Sequence, residues 1–405
     1  MIGQLCTCDV ENFGDILYPI VFRKLAEKHG ITSAIVPLGF FPGPAPCEAG
    51  YDVQGINDVL SSPGQTLSHL VIGGGDILRT DAAAFAQHYY SIFKQRAGNQ
   101  FGFRLKEAFL GRRRLKNELM QRIMGYSPIA PFILDKANHP RVGAIGYCSC
   151  GVPFRFAPEK FPAIRAALAA AAFVQVRDFP SRDKLKEAGV DRDIEVAPDL
   201  IVALSDFHDR EKERQKGLAL LAAHGVDTAK DIICFQSCPQ PAEPADELLR
   251  QLVALKKKTG AEIVLLPLGY CHADEAFLKR LAGKSSGVLK CIGVRSIHAM
   301  IAVIAAGKLF VGTSLHGNIT AFSFGQPHLF GPIAVDKAKG FLDVVGLGAG
   351  FKLESWSRLT DKSEMVMRLP SDHFAIKAAT AKRAVDAAFG KMARVLKGSV
   401  PLPER

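Results

Sequence analysis

Short apolar runs alternate with longer amphipathic stretches along almost the whole chain, and most of the runs end in Gly, Asp or Ser. Apolar runs of roughly four to eight residues bounded by turn residues read as buried strands, and apolar positions three and four apart read as helices. Strands are predicted at 2–7, 33–38, 69–73, 142–148, 173–177 and 194–197, then at 231–236, 262–266, 288–292, 308–312 and 327–331. Helices are predicted to start near Gly14, Pro158, Ser181, Pro244, Ala273, Ser296, Ser314 and Trp356. This alternation is that of βα units on mostly parallel sheets, an α/β chain. At 405 residues two domains are expected. A polar helical stretch ends where a fresh strand begins, which divides the chain into 1–205, a linker at 206–230, and 231–372. Residues 373–405 carry an amphipathic helix whose Ala-rich face is a candidate to pack back on the first domain.

Charge sharpens the picture. Lys and Arg number 51 against 40 acids, a surplus of +11. Between Lys94 and Arg122 nine basic residues accompany only Glu107 and Glu118. The remainder is mildly basic and holds no nucleic-acid reading module, so no nucleic-acid partner is expected. Segment 94–124 interleaves its cations with Phe101, Phe103, Phe109 and several aliphatic residues. Such a mixture suits an amphipathic surface element, packed on its own domain or touching an anionic membrane.

The first residues lack the basic and apolar regions of an export signal, and the longest apolar stretches, such as 299–307, fall short of the ~18–20 residues that span a bilayer. Nine cysteines without scaffold-like spacing suit a reduced, cytoplasmic protein, at most peripheral at the inner face of the membrane. The two Cys-x-Cys pairs lack the spacing of common zinc and iron–sulfur sites, so no metal is expected.

In open parallel sheets ligands sit beyond the carboxyl ends of strands, which makes the polar residues there the ones to interrogate. Asn12-Phe13-Gly14-Asp15 follows the first strand; Asn12 and Asp15 suit either a helix cap or a ligand wall. Gly73-Gly74-Gly75-Asp76 ends the third, and three residues without Cβ suit either close approach of a small molecule or a bare tight turn. Arg177-Asp178 closes another strand, where the Arg suits a carboxylate or phosphate, or an ion pair with its neighbour. Asp199 stands after the next, and His272 and Asp274 stand beside a later helix start. The strongest signal is 308–327, where Thr313 or Ser314 caps a helix opening with Leu315-His316-Gly317. A helix N-terminus offers amides to an anion, and its dipole disfavours a cation in the first turn, which keeps His316 available as a base.

In order along residues 3–331, these segments resemble the polysaccharide pyruvyl transferases: NFGD at 12–15, GGGD at 73–76, VRD with Ser and Leu-Gly spacing at 176–189, APDL with Asp199, LP…H…D at 266–274, and SLHGNITAFSFGQP at 314–327. The resemblance implies a GT-B-like fold, two Rossmann-like domains with parallel sheets facing an interdomain cleft. It implies transfer of a pyruvyl group from phosphoenolpyruvate to hydroxyls of a sugar or lipid-linked oligosaccharide, giving a pyruvate ketal, with no further cofactor. His316, Asp15 and Asp199 are then the expected catalytic residues. The expected substrate contacts are Asn12, Gly14, Gly74, Gly75, Asp76, Arg177, His272, Arg295, Ser314, Leu315 and Gly317. One position departs from the pattern: Ser314 stands where the family commonly has Arg two residues before the His, leaving Arg295, Lys308 and Arg79 as candidate replacements. The rival readings are a nucleotide-sugar glycosyltransferase of the same fold and a non-catalytic carbohydrate-binding relative.

Overall fold

The computed structural model describes residues 1–62, 66–79, 89, 131–134, 136–239, 244–333, 337–370 and 372–398. The basic segment 94–124 lies outside the described residues.

Strand β1 (Ile2–Leu5) is buried at every position, as a strand covered on both faces must be. Asn12 then caps helix α1 (Phe13–Lys28) by accepting from the Gly14 amide at 3.3 Å. The chain returns as β2 (Ile35–Gly39), makes the antiparallel pair β3 (Gly43–Pro44) and β4 (Asp52–Gly55), and continues through α2 (Ile56–Ser61) to the long β5 (Leu67–Gly75). After β6 (Val142–Cys150) come α3 (Phe161–Ala169), β7 (Val174–Val176), α4 (Phe179–Glu187) and β8 (Glu195–Val196). The order is β3-β4-β2-β1-β5-β6-β7-β8, parallel except at β3–β4. Two strands, β3 and β4, were not predicted. They lie in and just after the Gly/Pro-rich stretch 39–50, where only two to four residues pair and no apolar run marks them.

A 3-10 segment, Leu200–Asp206, leads to α5 (Arg210–Ala223). The stretch read as a linker, 206–230, therefore holds a helix, and it is packed on the second unit. Gly217 brings it so close that a Cβ there would sit 2.0 Å from the carbonyl oxygen of Ala302. The second sheet comprises β9 (Ile232–Gln236), β10 (Glu262–Leu265) after α6 (Ala245–Thr259), and β11 (Lys290–Cys291) after α7 (Asp274–Lys284). Helix α8 (Ile297–Ala306), β12 (Leu309–Gly312), α9 (Leu315–Ser323) and β13 (His328–Phe330) complete it, in the all-parallel order β11-β10-β9-β12-β13. Helices α10 (Lys337–Val344), α11 (Leu359–Met367) and α12 (His373–Leu396) follow.

The last helix touches both units. Phe389 meets the Phe22 ring of α1 at 5.3 Å between centroids, and Asp386 pairs with Lys28 at 2.7 Å. The sheets are also joined by main chain at the cleft: the Phe13 amide donates to Leu268 at 2.9 Å, the Cys271 amide to Glu11 at 3.2 Å. In each sheet the strand order reverses once, between β1 and β5 and between β9 and β12. Ligand crevices form at such switch points. No helix among the described residues is long and apolar enough to cross a membrane.

Candidate active site

A cavity of about 310 Å³ lies between the carboxyl ends of the two sheets, and both switch points open into it. From the first sheet it is lined by Asn12, Asp15, Gly75, Asp76 and Arg177. From the second come His272, Ser314, Leu315 and His316. These nine are among the residues expected from sequence.

The other expected residues stand behind the cavity or outside it. Asp199 is buried beneath His316 and Arg177. Gly14 supports the imidazole: a Cβ there would fall 1.7 Å from His316 Nδ1. Gly74 has φ +80° and faces the Tyr18 ring, where a Cβ would sit 2.6 Å from Cγ, so packing accounts for it. Gly75, with φ +88°, is the glycine of the three that meets the cavity. Gly317 packs on Phe310 and Leu268, and its amide donates to Ser314 Oγ at 3.1 Å. Arg295 does not reach the site: it bonds Glu11 and Glu275, each at 3.0 Å, and stacks over Tyr270 at 4.3 Å, clamping the two units from outside. Lys308 is exposed at the amino end of its strand, opposite the cavity.

Charge in the site is organised around Arg177, which is 4% exposed. Its guanidinium bonds Asp76, lies 3.5 Å from Asp199 and approaches Asp178 at 3.8 Å. Gly151 leaves room for this pairing, since a Cβ there would be 2.5 Å from Asp76 Oδ1. Burial opposes the Arg177 charge, but Asp76, Asp199 and Asp178 outweigh it and hold its pKa above the ordinary value. Asp76 loses water too, yet Arg177, Lys337, His316 and Arg79 keep it below the usual carboxylate range. Asp199 is likewise held low against burial, first by its contact with His316.

Asp15 shows the other outcome. Desolvation is again the largest influence, and the countering pull of His316, Thr7 and Arg177 is weaker, so its pKa is pushed up to about 6. Two carboxyls in one cavity are thereby driven apart in acidity, a pattern that separates proton carrier from anion. His316 Nε2 lies 3.5 Å from Asp199 Oδ2, which leaves Nδ1 on the Gly14 side.

The helix start at Ser314 is less open than its sequence suggests. The Ser314 amide donates to Gln236 Oε1 at 2.7 Å, and Ser314 Oγ occupies the Gly317 amide. Gln236 is itself oriented by donating to Asp274 at 2.7 Å, and Asp274 also accepts from the Gly269 amide at 2.8 Å. Burial raises the Asp274 pKa and lowers that of His272, whose ring nitrogen lies 3.4 Å from Asn12 Nδ2.

Lys337, Arg79, Gln236 and Phe154 also line the cavity and were not among the expected contacts, although Arg79 was a candidate for the missing Arg. Lys337 begins α10 just after the last strand, so the strand-end rule extended past β13 would have found it. Gln236 is the final residue of β9 and carried the same signal. Among the described residues no cluster of His, Cys, Asp or Glu is arranged to hold a metal ion.

The family model for polysaccharide pyruvyl transferase matches residues 12–330, and the chain belongs to that family. No curated protein matches it in sequence. Among solved structures, HepE from Anabaena, in complex with UDP-glucose, is similar with a TM-score of 0.54 at 10% identity, covering 98% of this chain and 99% of that one. A glycosyltransferase from Rickettsia africae gives 0.54 at 9% identity over 98% of this chain and 99% of the other. The wall teichoic acid polymerase TagF gives 0.50 at 10% identity, covering 98% and 88%. At such identities the likeness establishes the fold alone: an α/β chain with two sheet-bearing domains, GT-B-like. The family establishes the activity, enzymatic pyruvyl transfer to a hydroxyl of a sugar or polysaccharide, with phosphoenolpyruvate as the expected co-substrate.

One residue tests the geometry without touching any charge. Gly14→Ala forces the His316 ring aside, and a displacement of about 1 Å costs on the order of 10²-fold in rate. The expected outcome is that loss in phosphate release from phosphoenolpyruvate with a circular dichroism spectrum like that of the wild type; unchanged turnover would show that the ring position does not matter.

Proposed function

We propose that the chain forms a pyruvate ketal on a sugar acceptor, with His316 and Asp15 moving protons and Asp199 holding His316. The observation that carries this reading is an imidazole held near Asp199 at one nitrogen and delivered, past Gly14, into a cavity that Arg79, Arg177 and Lys337 also line. Phosphoenolpyruvate brings a phosphate and a carboxylate; Lys337, Arg79 and Arg177 are the cations that face them. Lys337 has no ion-pair partner among the described residues, so its charge is available for an anion. Fixed charges in a desolvated cavity stabilise developing charge better than water does.

C3 of the donor gains one proton, and the resulting C2 cation is attacked by the first sugar hydroxyl, which loses its own. The C2–O bond to phosphate breaks, and a second hydroxyl closes the ketal and releases another proton. Of the two protons released, one replaces that given to C3 and the other leaves with phosphate. Asp15, with its pKa near 6, is protonated often enough at neutral pH to supply C3, and His316 accepts from the hydroxyl. Asp199 stays ionised and keeps the ring oriented.

A peripheral membrane position is the finer reading for the acceptor's location. It rests on the cations and aromatics of 94–124 and on the lipid linkage of many glycan precursors.

Three measurements test these roles. His316→Ala should lower phosphate release about 10²–10⁴-fold, the usual contribution of general acid–base catalysis; near-wild-type turnover would remove His316 from the mechanism. Asp15 has a folded pKa of about 6 against roughly 3.9 unfolded, so its contribution to stability is complete below the unfolded value and is lost as pH rises through 6. Asp15→Asn should therefore melt higher than the wild type at about pH 8 but not at about pH 4, while losing turnover; equal melting differences at both pH values would contradict the burial argument. Replacing Arg112, Arg113 and Arg114 by Ala should reduce co-sedimentation with phosphatidylserine vesicles, and unchanged binding would end the membrane reading.

A further inference from the structure

Ketal formation takes a proton from each of two hydroxyls, and His316 serves the first. A second imidazole, that of His272, opens on the same cavity. The two rings flank one turn of the first sheet. His316 Nδ1 sits against Gly14, and His272 Nε2 lies 3.4 Å from Asn12 Nδ2 in the same turn. Main-chain bonds register the two sides across the cleft. The Phe13 amide donates to the Leu268 carbonyl at 2.9 Å, the Cys271 amide to that of Glu11 at 3.2 Å, and Asn12 forms a bridge with Gly269. Behind them the His272 amide donates to the Gly269 carbonyl at 2.9 Å, and the Gly269 amide to Asp274 at 2.8 Å.

These bonds also settle which nitrogen of His272 is basic. Asn12 Oδ1 accepts from the Gly14 amide at 3.3 Å, so Nδ2 is the end that faces the imidazole. A side-chain amide nitrogen only donates, so Nε2 presents its lone pair and the neutral ring carries its proton on Nδ1. A hydroxyl about 2.8 Å from each nitrogen fits across that gap, accepting from Asn12 Nδ2 and donating to Nε2. Desolvation in the cleft lowers the His272 pKa; Asp274 pulls it up and Lys337 pushes it down again, which leaves the ring neutral and able to accept at neutral pH.

We propose that His272 is the second general base: its Nε2 takes the proton of the hydroxyl that closes the ketal, while Asn12 donates to that hydroxyl's oxygen and orients it. The inference rests on the pyruvyl-transfer reading of the cavity and gives its ring-closing step a residue. In that step the second O–H bond breaks and its proton passes to Nε2. The oxygen bonds to C2 as the C2–O bond to phosphate breaks, and the electron pair of the broken bond leaves with phosphate. The imidazolium then protonates the departing phosphate, which Lys337 faces. Asp15 and His316 are close enough for their charges to interact, so the first proton returns from His316 to Asp15 and replaces the one given to C3.

The test uses the full chain with phosphoenolpyruvate in heavy water and the methyl pyranosides of glucose, galactose, mannose and N-acetylmannosamine, followed by proton NMR. Deuterium in the vinyl group of recovered phosphoenolpyruvate reports the first addition and its reversal, and a new methyl signal reports the ketal. With whichever pyranoside is turned over, His272→Ala should slow ketal formation about 10²–10⁴-fold. Vinyl deuteration should fall at least tenfold less, so that addition outruns closure, whereas His316→Ala should lose both together. The His272 side chain lies outside the buried core, so its removal leaves packing intact. Equal losses of deuteration and ketal in His272→Ala, or a ketal rate near that of the wild type, overturn the assignment. If no pyranoside is turned over, the fault lies with the donor or acceptor of the pyruvyl-transfer reading, and the tautomer of His272 then decides by itself. It is read from long-range proton–nitrogen correlations of protein labelled with nitrogen-15 histidine at about pH 8, with the His272 signals identified by their loss in His272→Ala. A proton on Nδ1 and a bare Nε2 support the assignment; a protonated Nε2 overturns it.

Discussion

Three carboxylates converge on the buried guanidinium of Arg177, and each of them holds something else. Asp199 holds His316. Asp178 caps α4 and lies where a Cβ on Gly340 would strike it at 2.9 Å, so it is also the point at which α10, bearing Lys337, closes on the first unit. Asp76 faces the cavity beside Lys337. Breaking a buried ion pair by removing one partner typically costs about 3–5 kcal/mol, because the other is left charged and dry. Here one cation compensates three acids, so the orientation of the imidazole, the start of α4 and the contact between the units all depend on it.

That concentration of charge explains why the cleft is held as it is. Both switch points face one cavity between the sheets, and two open crevices leave the separation of the sheets to their contacts. The main-chain bonds between Phe13 and Leu268 and between Cys271 and Glu11 hold the loops that carry Asn12 and His272 together. Arg295 clamps the same edge from outside through Glu11 and Glu275. The last helix ties the opposite side through Phe389 and Asp386. The cavity walls are thus tied on both sides of the seam, which preorganises the charges that line the cavity.

The replacement of the family Arg by Ser314 acquires a physical meaning in this setting. Ser314 caps its own helix, and Gln236 takes its amide, so this terminus is satisfied internally and has fewer amides to offer a phosphate than an uncapped one. Two cations that line the same cavity, Arg79 and Lys337, come from the segment after β5 and from the start of α10. The cations that line the cavity among the described residues thus come from elements other than the helix that bears His316.

All eleven predicted strands are present, and nine expected site residues line one cavity, because both signals are local: a buried parallel strand must be apolar, and the polar residue that ends it must stand at the sheet edge. The short pair β3–β4 and helix α10 escaped because so few residues carry no period. Gly74 was misleading for a related reason: a missing Cβ looks the same in sequence whether a ligand or the Tyr18 ring fills the space. Sequence by itself determined the α/β alternation and the family, and it singled out the His316 imidazole that lines the cavity. Only the tertiary structure decided that Arg295 would be spent on Glu11 and Glu275, that Lys337 would enter the site, that Gly14 would leave room for His316 and that Asp15 would be driven to about 6 while Asp76 is held low. Those outcomes turn on distances between groups far apart in the chain, and burial and Coulomb attraction act through space, not along sequence.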